Sequence, residues 1–176
     1  YAKSVQAAIE QMKLTGISES DISFEHDGTY ANAKCLVSDC KIFGAGGTGL
    51  NYKIFPDAND GSGWIFTGAN NVGTTANPVG TTANATGNDL IMILPNVKQS
   101  LCEQINDDLN IGTAGTIPYE TTGIGVTPFA GTYATGAAVV LDGDPAPFEF
   151  DGKETGCYAT AGTPDTYHFY FVVLKR

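Results

Sequence analysis

Apolar positions at the start of the chain repeat with the period of a helix. Val5, Ala8, Ile9 and Met12 fall at i, i+3, i+4 and i+7, which predicts an amphipathic helix over Tyr1–Leu14 with that stripe facing a core. Lys13 in its last turn and Gly16 just beyond it supply a stop signal. No capping residue stands ahead of Tyr1, so residues 1–15 read as a helix continuing a missing N-terminal segment.

From residue 24 the pattern shortens to strand length, and 24–176 read as a β-rich globular part of a single domain, 1–176. Ala33–Val37, Lys41–Phe43, Leu50–Phe55 and Trp64–Phe66 are predicted as short strands between Gly, Asn and Asp. The apolar run Leu90–Leu94 ends at Pro95 and is either a buried strand or the start of a helix. After Asn96, a fair N-cap, Val97, Leu101, Ile105 and Leu109 recur every four residues and predict a second helix, with Cys102 at the edge of its stripe. Further strands are predicted at Gly131–Tyr133, Ala137–Leu141 and Phe148–Phe150. Thr166–Leu174 is the strongest strand; it is apolar on both faces, as expected of a strand covered on both sides. Val72–Asn77 recurs as Val79–Asn84, and two copies without an apolar face read as an exposed loop or hairpin tip.

Composition narrows the partners. Nine Lys and Arg stand against 19 Asp and Glu, for a net charge of −10, which repels phosphate backbones and excludes nucleic acid as a partner class. The apolar runs of the chain as given are too short to span a membrane. Only 16% of residues are charged, Thr, Gly and Asn abound, and the cysteines are even in number, a profile of an exported protein. Four cysteines allow three pairings. Spacing favours Cys35–Cys40, closing a tight turn, and Cys102–Cys157, tying the second helix to the C-terminal region. Neither histidine is near them in sequence, which argues against a structural zinc.

Gly44–Gly49 fits G-x-G-x-x-G, but a strand-like run to Pro56 follows where a dinucleotide site needs a helix, so the glycines read as a turn or bulge. Asp57, Asn59 and Asp60 are calcium candidates, although the third oxygen comes one residue early for an EF-hand loop and the closing Glu is absent; Asp142 and Asp144 form a second acidic turn. Asn84–Thr86 is a glycosylation sequon. Ser62 lacks the full nucleophile elbow, His168 sits in an aromatic strand, and His26 reads as a solvated turn, so no catalytic residue is assigned. Tyr30, Tyr52, Trp64, Tyr119 and Tyr133 are scattered, and core packing explains them better than a sugar platform.

Taken in order, an N-terminal amphipathic helix, a Gly/Asn-rich connection, an antiparallel sheet and a cysteine-bounded C-terminal region resemble the globular part of type IV pilin-like proteins and pseudopilins. The strings Ile42–Tyr52, Cys102–Gly112 and Cys157–Arg176 carry the local likeness. The family's leader, its cleavage-site Gly and the Glu of its apolar helix have no counterpart in this chain, so no assembly residue is carried over. The resemblance implies an α+β fold, with the N-terminal helix packed on a mainly antiparallel sheet and a second helix inserted. It implies a non-enzymatic filament subunit without cofactor in a type IV pilus or type II secretion pseudopilus. Such a subunit is anchored in the inner membrane through a segment ahead of Tyr1, polymerises with other pilin or pseudopilin subunits, and is exposed in the periplasm or outside the cell. The alternative is a secreted carbohydrate- or calcium-binding adhesin module.

Overall fold

A computed structural model of the chain describes residues 1–80, 87–121, 123–135, 139–144 and 147–176. Helix α1 spans Ala2–Leu14, and the predicted stripe Val5, Ala8, Ile9 and Met12 is its buried face. The backbone then turns at Gly16, whose φ of 92° suits a residue without a Cβ.

The sheet has five strands: β1 (Ile65–Val72), β2 (Asp89–Leu94), β3 (Val139–Leu141), β4 (Thr155–Thr160) and β5 (Thr166–Leu174). Their spatial order is β3-β1-β2-β5-β4, with every neighbouring pair antiparallel except β1 and β3. Helix α2 (Gln99–Leu109) is inserted between β2 and β3. The architecture is therefore α+β, with two helices on a mainly antiparallel sheet.

Strand β5 is interior and covered on both faces. One face carries Phe171 and Val173, which share a core with Phe66, Met92, the α1 stripe and Cys102. The other carries Tyr170 and Val172, which pack with Ile91, Ile93, Ile111 and Phe150 under the loops that follow α2. Tyr170 is fully buried, and its hydroxyl donates to the Lys153 carbonyl at 3.0 Å. Leu90–Leu94 resolves as a strand, which fits its β-branched and apolar content.

Several predicted strands are absent. Ala33–Val37, Lys41–Phe43 and Leu50–Phe55 lie in irregular chain, joined only by isolated bridges such as Phe43 to Leu50. Turns take their hydrogen bonds: the Lys41 amide donates to Ser38, and the Thr48 amide donates back to Lys41. Gly131–Tyr133 and Phe148–Phe150 are also turns or irregular chain, while of Ala137–Leu141 the described part, Val139–Leu141, is a strand. Strand β4 was not expected, because Thr-Gly-Cys-Tyr-Ala-Thr has little apolar alternation. Strand β1 runs well beyond the predicted Trp64–Phe66, through Asn70 and Asn71, both buried.

Disulfides join Cys35 to Cys40 and Cys102 to Cys157, with Cα separations of 5.6 and 5.3 Å. The second links α2 to β4. β4 is an edge strand, and its outer side is covered rather than bare. Asn106 donates to the Cys157 carbonyl at 2.9 Å and accepts from the Cys157 amide at 2.8 Å. Further along, the Ala159 amide donates to Pro118, and the Glu120 amide donates to Ala159. Side chain and loop together close an edge that would otherwise offer itself to another strand.

Candidate functional site

Two surfaces carry chemistry, and the first is an apolar groove of about 480 Å³ between the helices. Leu94, Phe169 and Phe171 of the sheet, Tyr1 just before α1, Ala2 of α1, and Leu101 and Ile105 of α2 line it, and Lys3, Asp108 and Thr155 supply the few polar groups. Its origin is a departure from the predicted α2. That helix begins at Gln99 rather than after Asn96, which has a left-handed φ of 55°. The disulfide and the Asn106 bonds turn Cys102 and Asn106 toward β4, where both are fully buried. The predicted stripe is rotated aside, so Leu101, Ile105 and Leu109 are only partly buried and all three line the groove. Covalent and hydrogen-bond geometry thus overrides the apolar stripe.

The start of α1 is fixed beside this groove. The Tyr1 ring packs on Phe55 and Trp64 at centroid distances of 5.4 and 5.8 Å. Its hydroxyl donates to the Asn51 carbonyl at 3.2 Å and accepts from the Lys53 amide at 3.3 Å.

The second is an acidic cluster at the end of β3. Glu120, Asp142 and Asp144 each place a carboxylate oxygen within 4.8 Å of the others. Glu120 is only 2% exposed. Its Oε1 accepts the amides of Asp142 at 3.0 Å and Gly143 at 2.6 Å, whereas Oε2 is buried with no hydrogen-bond partner among the described residues. Burial pushes its carboxyl up to about 8, and the charges of Asp142 and Asp144 push the same way. Burial, then Asp144, also raises Asp142. The Thr121 hydroxyl donates to Asp144 Oδ2.

Glu120 was not singled out in the sequence. It lies 22 residues before Asp142, and only the pairing of Pro118–Glu120 along β4 brings it to the Asp142–Asp144 turn. No local spacing encodes that meeting.

The other candidates are placed as follows. In the 57–60 loop, Asn59 donates to the Ser62 and Pro95 carbonyls at 2.9 and 3.0 Å and accepts the Gly61 amide. Asp60 accepts the Ser62 amide and the Asn96 side-chain amide, and the Asp57 carbonyl accepts from Lys98. These contacts describe a loop held by its own polar groups. Gly47 of the glycine run lies where a Cβ would sit 1.8 Å from the Lys41 carbonyl oxygen, so the run is a close-packed turn. His26 is not a solvated turn residue; its ring stacks on Tyr52 at 3.7 Å. His168 meets the Thr160 and Thr166 hydroxyls, each at 3.1 Å. Of the scattered aromatics, Tyr30 and Trp64 are buried and Tyr119 is exposed. The sequon Asn84–Thr86 and most of the second repeat copy lie outside the described residues.

Among the described residues no helix is long and apolar enough to cross a membrane. No family model matches the chain, and neither a curated protein nor a solved structure matches it.

Proposed function

We propose that the chain is the globular part of a non-enzymatic structural subunit of a type IV pilus or type II secretion pseudopilus. One observation carries this reading. Helix α1 lays its Val5/Ala8/Ile9/Met12 face into the same core as β5, while the rest of its surface faces outward. That is the arrangement a subunit needs if the same helix, extended ahead of Tyr1, is to pack against its neighbours. The Cys102–Cys157 link stiffens the C-terminal hairpin of a domain exposed to an oxidising compartment, periplasmic or extracellular. The groove at the start of α1 lies where that extended helix leaves the domain, and in a filament it receives apolar side chains of the adjacent subunit.

The coding sequence upstream of Tyr1 is the test. The expected result is a short basic leader ending in Gly, followed by about twenty apolar residues running into α1. A cleavable secretory signal directly ahead of Tyr1 would refute the filament role.

A further inference from the structure

We propose that Glu120, Asp142 and Asp144 form a binding site for a hard divalent cation, and that the ion it fits is calcium. The proposal is independent of the filament reading. It starts from Glu120, which is 98% buried and fixed by backbone on both flanks of its side chain. The Glu120 amide is tied to Ala159 on β4 at 2.9 Å, and Oε1 is held by the Asp142 and Gly143 amides. Oε1 is gripped by the amides of the Asp142–Asp144 turn, and Oε2 of the same carboxylate is buried with no hydrogen-bond partner among the described residues. A buried, unpartnered carboxylate oxygen is costly, and such an atom marks a position that an ion completes.

The surroundings supply negative charge and little to offset it. Asp142 and Asp144 flank Gly143, whose φ of 79° bends the turn so that both aspartates reach the Glu120 carboxylate. Glu149 borders the loop as well, since a Cβ on Gly143 would meet its Oε2 at 3.0 Å. The ion pairs among the described residues lie elsewhere, at Lys13–Glu19, Arg176–Glu19, Lys175–Glu154 and His26–Asp27. Three carboxylates crowded within 4.8 Å repel one another unless a cation or a proton intervenes.

The donor set selects the ion class. All three ligands are carboxylate oxygens, with neither thiolate nor imidazole, which suits calcium or magnesium rather than zinc or copper. A calcium shell is about 5 Å across and tolerates irregular oxygen cages, so oxygens up to 4.8 Å apart fit around one ion. Magnesium needs a regular octahedron about 4 Å across and is the weaker fit. Three protein carboxylates leave coordination positions for water or backbone carbonyls.

Calcium chloride titrated by calorimetry into the metal-stripped protein near neutral pH tests the proposal, with thermal unfolding as a second readout. The expected result is one site per chain and a rise in melting temperature with calcium concentration. Glu120→Gln and Asp144→Asn should each weaken binding by about tenfold or more, while Asp60→Asn leaves it unchanged. Asp144 is the more exposed ligand, so Asp144→Asn keeps the test decisive if Glu120→Gln fails to fold. Absence of both heat and a melting shift up to about 10 mM calcium would overturn the site and leave a proton shared among the carboxylates. Binding that survives Asp144→Asn, or that disappears with Asp60→Asn, would overturn it equally.

Discussion

Replacing Asn106 with alanine removes both hydrogen bonds that a side chain makes to the outer edge of β4. The residue is fully buried, and its partners are the amide and the carbonyl of Cys157, itself fully buried. Alanine offers neither group. Each backbone group left unsatisfied costs roughly 1–3 kcal/mol, so the expected loss is about 2–6 kcal/mol. That is a large part of a typical domain's stability of roughly 5–15 kcal/mol. Urea unfolding with both disulfides intact, followed through the single tryptophan, Trp64, is a suitable assay. Asn106→Asp is an informative companion, because it keeps an acceptor for the Cys157 amide but sets a carboxylate against the carbonyl. It should therefore be at least as damaging. A loss below about 1 kcal/mol for Asn106→Ala, at unchanged denaturant dependence, would refute the claim that these two bonds hold the sheet edge.

The remaining expectations share that logic. Removing the Cys102–Cys157 link by a double alanine substitution frees a sequence separation of 55 residues and should cost about 4 kcal/mol by chain entropy. Because the link and Asn106 hold the same strand, its effect should not add to that of Asn106→Ala in a double-mutant cycle; strict additivity would count against a shared role. Asp89 is 2% exposed, and burial lifts its carboxyl from 3.8 to about 6. The folded state therefore holds the Asp89 proton more tightly than the unfolded chain does. Its stabilising contribution is full below pH 3.8 and lost as the pH rises through about 6. Unfolding of the wild type and Asp89→Asn compared across that window should show their stability difference shrinking by up to about 3 kcal/mol toward high pH, and a flat difference would show that burial leaves Asp89 unperturbed. Gly47→Ala should destabilise the fold, since its Cβ would stand 1.8 Å from the Lys41 carbonyl oxygen; a melting temperature equal to wild type would show that the turn can shift. If the chain is the filament subunit proposed above, Leu101→Asp in the groove should block assembly, and filaments that form normally from this variant would exclude the groove as a subunit contact.

What the sequence could disclose depended on whether apolar side chains or polar ones set the local structure. Helix α1 was legible because its 3.6-residue apolar period faces the core, and strand β5 because its continuous aromatic and β-branched run is covered on both faces. Elsewhere asparagine sets the structure, and asparagine reads as exposed turn. Asn106 closes the edge of β4. Asn70 pairs with both the carbonyl and the amide of Gly125, at 2.8 and 2.7 Å. Asn32 donates to Ser20 and Ile22 and accepts the Lys34 amide. Asn59 fastens its loop to Pro95. In each case the carboxamide imitates a peptide group, one donor and one acceptor side by side, and substitutes for the backbone pairing that irregular chain lacks. This explains why the asparagine-bearing part of β1, through Asn70 and Asn71, is not predicted as strand.

The same device accounts for the acidic cluster. Glu120 does for the Asp142–Gly143 turn what asparagine does elsewhere, accepting two backbone amides with one oxygen. A glutamine could make those bonds and add a donor beside two aspartates, without a buried charge. A carboxylate at that position brings a second oxygen, buried and unpartnered, that holding the turn does not require. The unpartnered oxygen separates this carboxylate from Asn106, Asn70, Asn32 and Asn59, whose side-chain oxygens each accept a backbone amide, and it is what a cation would use.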